Sequence, residues 1–190
     1  MLIRSISGIR GLVNKDLGEK TIIKYAHALH DCLQDGVIYV GRDSRPSGEE
    51  IVEIMINELI KLGRTIMYCG IVPTPTIQYM VHTTEAVGGV IITASHNPIE
   101  WNGIKFVKED STFFNLYDCE TLFEYADNFS NENIETSEEG MLWEEKNAIH
   151  KHTINCASLK CIDLDKVRAR KFKVVIDSVN GAGSDALPAM

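Results

Sequence analysis

Paired cysteines, basic charge and long apolar runs are all scarce in this sequence. Cysteines number five, an odd count, and no Cys-x-x-Cys pair occurs. That argues against a disulfide framework and leaves Cys32, Cys69, Cys119, Cys156 and Cys161 as reduced, mostly buried thiols. His150, His152, Cys156 and Cys161 lie close in sequence, but their spacing matches no structural zinc pattern. Lys and Arg together number 19 against 27 Asp and Glu, for a net charge of −8. A general nucleic-acid-binding role, which needs a basic face, is thereby disfavoured. A small anionic substrate is still compatible, because a local basic cluster can sit on an acidic protein. No apolar run approaches the roughly 20 residues needed to cross a bilayer, and the opening "MLIRSISGIRGLVNK" holds no apolar signal segment. The default expectation is a cytoplasmic protein with neither nucleic acid nor membrane among its partners. Asn128-Phe129-Ser130 satisfies the glycosylation pattern, yet nothing else points to secretion.

The 190 residues, 44% of them hydrophobic, are enough for one generous domain or for one domain and part of another. Gly8, Gly11 and Asn14 punctuate an opening hairpin or extended arm. Residues 21–33 carry Ile22, Tyr25, Ala26, Leu29 and Leu33 at helical spacing, stopped by Asp35-Gly36. Short strands are predicted at 37–41, 65–70 and 86–94. Helices are predicted at 49–63 and, after a loop with two prolines, within 72–84. Strand–helix–strand–helix–strand at this spacing predicts βαβ units. The segment "GIKFVKED" reads as a further strand at the sheet edge, and 116–129 as a helix. Residues 130–140 are polar and acidic, which predicts a surface loop, and 141–160 gives no clear pattern. A helix at 163–170 and a buried strand "KFKVVID" follow, then a glycine-rich helix start. The expected fold is α/β: a mixed, mainly parallel sheet with helices on both faces over residues 1–155, and the truncated start of a second, similar domain over 156–190.

Loops at the carboxyl ends of strands carry the chemistry in such sheets. There the apolar run Val90-Ile91-Ile92 ends in Thr93-Ala94-Ser95-His96-Asn97-Pro98. A lone serine hydroxyl is a poor nucleophile and needs a base or a charged neighbourhood. Acyl transfer is disfavoured: His96 adjoins Ser95 in sequence, a poor arrangement for a serine–base pair, and no Gly-x-Ser-x-Gly elbow exists. Phosphoryl transfer fits better, because Arg10, Arg42, Arg45, Lys105 and Lys108 supply charge that would neutralise phosphate oxygens. A turn at Asn102-Gly103 would let the chain double back and bring Lys105 to face Ser95. Arg42 and Asp43 form a candidate ion pair that could order their loop.

"TASHNP" followed by "NGIK" resembles the active-site serine loop of the α-D-phosphohexomutase superfamily. "SGIRG", "VGRDSRPSG" and "VVIDSVNGAG" resemble three further family segments in matching order. The resemblance implies a phosphoserine at Ser95 that exchanges its phosphoryl group with a hexose or hexosamine phosphate through a sugar bisphosphate intermediate. It implies a Mg²⁺ ion with the Ser95 phosphate as one ligand, and Lys105 as general acid or base. It also implies phosphate or substrate contacts from Arg10, His96 and Asn97. Arg42 and Arg45 are the further substrate-binding candidates. The family's Asp-Gly-Asp-Gly-Asp-Arg metal loop, its sugar-recognition loop and its phosphate-clamping domain are absent from these residues. The arm reads Ile6-Ser7-Gly8-Ile9-Arg10 where the family has Phe-Gly-Thr-x-Gly before the arginine. The chain is thus expected to be an inactive N-terminal piece whose partners include the remaining domains of the enzyme. The alternative is a non-catalytic sugar-phosphate-binding or interaction module of the same fold.

Overall fold

A computed structural model describes residues 1–130 and 140–190. The N-terminal hairpin pairs β1 (Ile3–Ser5) with β2 (Gly8–Leu12). Gly8 holds φ +96 at its turn, and a Cβ there would meet the Ile104 carbonyl oxygen, so only glycine fits. Next come α1 (Glu19–Cys32), β3 (Val37–Arg42), α2 (Gly48–Lys61), β4 (Thr65–Ile71), α3 (Thr74–His82), β5 (Gly88–Ile92) and β6 (Trp101–Lys108). The chain continues through α4 (Leu116–Asn128), β7 (Leu142–Glu144), α5 (Ala148–Ala157), α6 (Leu164–Ala169) and the short α7 (Gly183–Ala186).

The sheet runs β1-β2-β6-β5-β3-β4-β7. Its core is parallel, with β5, β3, β4 and β7 joined in parallel pairs, while β6, β2 and β1 add an antiparallel side. The sheet is therefore mixed, with the parallel core that the βαβ spacing predicts. Strand alternation sorts the apolar residues to two faces. Ile38, Val40, Ile66, Val90 and Ile92 pack with Tyr25, Leu29, Met55 and Leu122 of α1, α2 and α4. Tyr39 and Ile91 pack on the opposite face with Ile77, Met80 and Ala148 of α3 and α5.

Three expectations change. The strand "GIKFVKED" is internal, because the N-terminal hairpin adds to its outer side through the β2–β6 pairing. Asn102-Gly103 makes no turn and lies within β6. The reversal comes earlier, where Asn97 N–H donates to the Ala94 carbonyl and Trp101 N–H to the Pro98 carbonyl. Residues 171–177 form no strand: no described strand pairs with them, and Phe172, Val174 and Val175 are 64%, 73% and 96% exposed. A buried strand needs neighbours to take up its backbone groups, and this segment has none. The surface loop expected at 130–140 falls largely outside the described residues. α5 packs on α3 and runs through the expected boundary at 155/156 to Ala157. No helix among the described residues is long and apolar enough to cross a membrane.

Candidate functional site

The carboxyl ends of β3 and β5 lie side by side, since Arg42 pairs with Ile92 in the parallel register. The loops that follow each strand therefore meet. Ser95 is exposed on the second loop and has φ 56, a left-handed conformation unusual for a non-glycine residue. It borders an open cleft of about 470 Å³ whose walls include Asp43, Ser44, Asn97 and, across the opening, Val179 and Gly181.

Arg45 pins the serine loop. Its Nη1 donates to the carbonyls of Pro98 (2.8 Å) and Trp101 (3.2 Å), and its Nη2 to those of Ser95 (2.9 Å) and Asn97 (2.6 Å). Its Nε sits 3.3 Å from Asp43 Oδ2. Of the five N–H donors of a guanidinium, four are spent on these carbonyls, and Nε lies against Asp43. Of the expected substrate contacts, that of Arg45 begins from a side chain committed to the loop. Arg42 is also spent elsewhere. Its Nε donates to the Tyr68 hydroxyl (3.2 Å), its Nη1 to the Asp43 carbonyl (3.2 Å), and its Nη2 lies 3.9 Å from Glu49. The ion pair expected between Arg42 and Asp43 forms between Arg45 and Asp43 instead, because Asp43 folds back in an Asx turn and accepts the Arg45 backbone N–H (3.0 Å).

Two further cations sit on the neighbouring strands, Arg10 on β2 and Lys105 on β6. Arg10 Nη1 donates to Asn97 Oδ1 at 3.1 Å, which ties the N-terminal arm to the serine loop. Arg10 pairs with Gly103 across β2 and β6, so Lys105, two residues along β6, shares its face. Lys105 Nζ lies 5.0 Å over the Phe113 ring. Burial pushes the Lys105 pKa below its ordinary value, and the nearby Arg10 charge pushes it the same way. Both favour the neutral amine that a general base requires. Replacing Arg10 with glutamine will therefore raise the Lys105 pKa and shrink its neutral fraction at any fixed pH. An NMR titration of the Lys105 side chain will show the midpoint moving to higher pH; an unmoved midpoint would mean that the two side chains do not sense each other.

His96 Nδ1 lies 3.4 Å from Ser95 Oγ. Adjacent residues do meet here, though at the weak end of hydrogen-bond range. Lys108 does not join the site. It pairs with Gly88 at the far end of β5 and forms an ion pair with Asp118 at 3.3 Å. Sequence reasoning missed Thr93 and Asn102, both buried. Thr93 Oγ1 donates to Asp43 Oδ2 (2.7 Å) and accepts the Ser95 N–H (2.9 Å). Asn102 bridges the Ser47 hydroxyl and the Gly103 N–H. A buried polar residue at the end of an apolar strand was the available signal for Thr93.

No group of three or more His, Cys, Asp or Glu side chains that could hold a metal ion occurs among the described residues. Asp43, the carboxylate nearest Ser95 in the cleft wall, is already occupied by Arg45 and Thr93. These residues do not by themselves fit a Mg²⁺ site, so no chemical step is routed through one.

Comparison with known proteins agrees with the fold. The profile of "Phosphoglucomutase/phosphomannomutase, alpha/beta/alpha domain I" matches residues 2–128. A phosphoglucosamine/phosphogalactosamine mutase of Sulfurisphaera tokodaii is 35% identical over 185 residues, which cover 95% of this chain and 40% of the relative. A phosphoglucomutase/phosphomannomutase of Thermococcus kodakarensis is 33% identical over 190 residues, again 95% of this chain and 40% of the relative. Among solved structures, parafusin, a phosphoglucomutase from Paramecium in its open form, superposes with a TM-score of 0.69 at 16% identity, covering 98% of this chain and 41% of that one. A phosphoglucomutase/phosphomannomutase family protein from Burkholderia thailandensis gives 0.63 at 22% identity, covering 80% and 35%. The chain spans about two fifths of the length of the curated relatives it matches. It belongs to the phosphoglucomutase/phosphomannomutase family of the α-D-phosphohexomutase superfamily, as that family's N-terminal domain.

Proposed function

We propose that this chain is the N-terminal part of a phosphohexomutase that moves a phosphoryl group between C1 and C6 of a hexose or hexosamine phosphate. Ser95 carries the group. The P–Oγ bond of Ser95 breaks as a sugar hydroxyl oxygen bonds to phosphorus; the hydroxyl proton passes to the neutral amine of Lys105, and the freed Ser95 Oγ takes up a proton to become a hydroxyl again. The sugar bisphosphate then returns its other phosphoryl group to Ser95. Arg10 and Asn97 hold phosphate oxygens at the mouth of the cleft, and His96 contacts the serine side. In this reading a Mg²⁺ ion, held by phosphorylated Ser95 and by ligands from outside these residues, would supply charge to offset the phosphate. Residues 156–190 open a second domain that, with further domains, completes the metal and sugar sites. The isolated 190-residue chain is accordingly inactive as a mutase.

One observation supports this most: an exposed serine hydroxyl on a loop held by Arg45 and tied to Arg10, with Lys105 on the same sheet face as Arg10 and its proton affinity lowered. Rate enhancement in phosphoryl transfer comes mainly from positioning and charge stabilisation, and those are what this loop offers. The test is the mass of full-length enzyme after incubation with a hexose 1,6-bisphosphate. The expected result is a phosphoryl group localised to Ser95. An unmodified Ser95 would favour a sugar-phosphate-binding module instead.

A further inference from the structure

Ser95 holds a backbone conformation that costs a non-glycine residue about 1–3 kcal/mol. The loop's own hydrogen bonds show what keeps it there. Asp43 accepts at both carboxylate oxygens, Oδ1 from the Arg45 backbone N–H and Oδ2 from the Thr93 hydroxyl, and its Oδ2 is ion-paired with the Arg45 guanidinium at 3.3 Å. Because the Thr93 hydroxyl proton is committed to Asp43, its lone pair is turned toward the Ser95 N–H, which it accepts at 2.9 Å. The same carboxylate also holds the guanidinium that grips the carbonyls of Ser95, Asn97, Pro98 and Trp101. Ser95 is therefore gripped at both backbone ends, its N–H through Thr93 and its carbonyl through Arg45, and both grips converge on Asp43.

We infer that Asp43 and Thr93 are positioning residues, which aim the Ser95 hydroxyl into the cleft through a carboxylate–hydroxyl–amide relay. Neither touches the transferred group. The inference rests on the reading of Ser95 as phosphoryl carrier for its effect on turnover, but its structural half stands independently. A displacement of about 1 Å in a reacting group can cost on the order of 10²-fold in rate.

The variants are Thr93→Val, which keeps shape and loses the hydroxyl, Thr93→Ser, which keeps the hydroxyl, and Asp43→Asn. In the full-length enzyme Thr93→Val should lower kcat at least tenfold with KM within about twofold, since the relay orients the nucleophile rather than binding sugar. Thr93→Ser should restore kcat to within about threefold. Asp43→Asn should resemble Thr93→Val. In parallel, amide hydrogen exchange at Ser95 should quicken at least tenfold in Thr93→Val and Asp43→Asn but not in Thr93→Ser. Unchanged protection of β5 residues 88–92 would show that the fold persists. Unchanged Ser95 exchange in Thr93→Val overturns the relay, and quickened exchange with unchanged kcat overturns its role in turnover. If wild-type Ser95 never takes a phosphoryl group, the functional reading fails, and the exchange comparison alone decides whether the relay holds the loop.

Discussion

Full-length enzyme carrying Ser95→Ala will lose sugar-phosphate turnover by a factor on the order of 10³ or more, because the variant has no oxygen to carry the phosphoryl group. The fold should be spared. Ser95 is exposed, and the side-chain contact it gives up is the 3.4 Å approach of His96. Its backbone N–H and carbonyl bonds to Thr93 and Arg45 do not involve the lost hydroxyl. A loss of rate without a loss of stability would therefore report on chemistry. A coupled assay with glucose, mannose and glucosamine phosphates, beside a urea unfolding curve, makes the comparison. Activity within tenfold of wild type would remove Ser95 from the nucleophile's place, whichever sugar is turned over.

Arg64→Ala will lower stability by about 3 kcal/mol, a large fraction of what an ordinary domain possesses. The Arg64 side chain is only 4% exposed. It follows α2 and reaches across to the end of α1, where its Nη2 donates to the carbonyls of His30 (2.6 Å) and Leu33 (2.8 Å) and its Nη1 to that of Gln34. Its Nε donates to His30 Nδ1 at 2.9 Å. The last carbonyls of a helix have no partner within the helix, and here one cation serves three at the negative end of the helix dipole. Truncation leaves those acceptors unpaired. For a chain of this size the expected fall in Tm is about 6–12 °C, and Arg64→Lys should not rescue it, because one ammonium cannot reproduce the fork. A midpoint within about 2 °C of wild type would refute this role.

The same contact has an acid dependence. Burial, and then the Arg64 charge, push the His30 pKa below its ordinary value. The unfolded chain consequently binds a proton that the folded chain resists, and stability falls as the pH drops below about 6.5. Protonated His30 also has no lone pair at Nδ1 to accept from Arg64.

Much of the fold was legible because period and punctuation agreed. The α1 positions Ile22, Tyr25, Ala26 and Leu29 are all buried as their spacing requires, and Gly63 (φ 83) follows α2 just beyond its end. What could not be read was the partner of each element. "GIKFVKED" has a strand's composition, but its placement inside the sheet depends on a hairpin from the far N-terminus. "KFKVVID" has the same character and finds no pairing strand among the described residues. At the site, two residues that the motifs single out, Arg10 and Asn97, meet two positions from Ser95. The motifs could not say which arginines face the cleft. Arg42 and Arg45 are two of the motif's most conspicuous cations, yet their guanidinium groups turn to Tyr68 and to loop carbonyls. Lys108, three residues after Lys105, belongs to the other end of the sheet because a strand carries it about 10 Å away.

Arg45 holds four carbonyls with a single planar group, so the segment from Ser95 to Trp101 is stitched into one stiff plate. If the chain handles a sugar phosphate as proposed, a stiff plate would not curl around it. The opposite wall, around Val179 and Gly181, is held by local bonds, from the Val179 N–H to Asp177 and from the Gly181 N–H to the Ser178 carbonyl, and Val179 and Asn180 both have positive φ. The Ser95 side would then act as a fixed anvil, and any accommodation of a ligand would fall to the far bank.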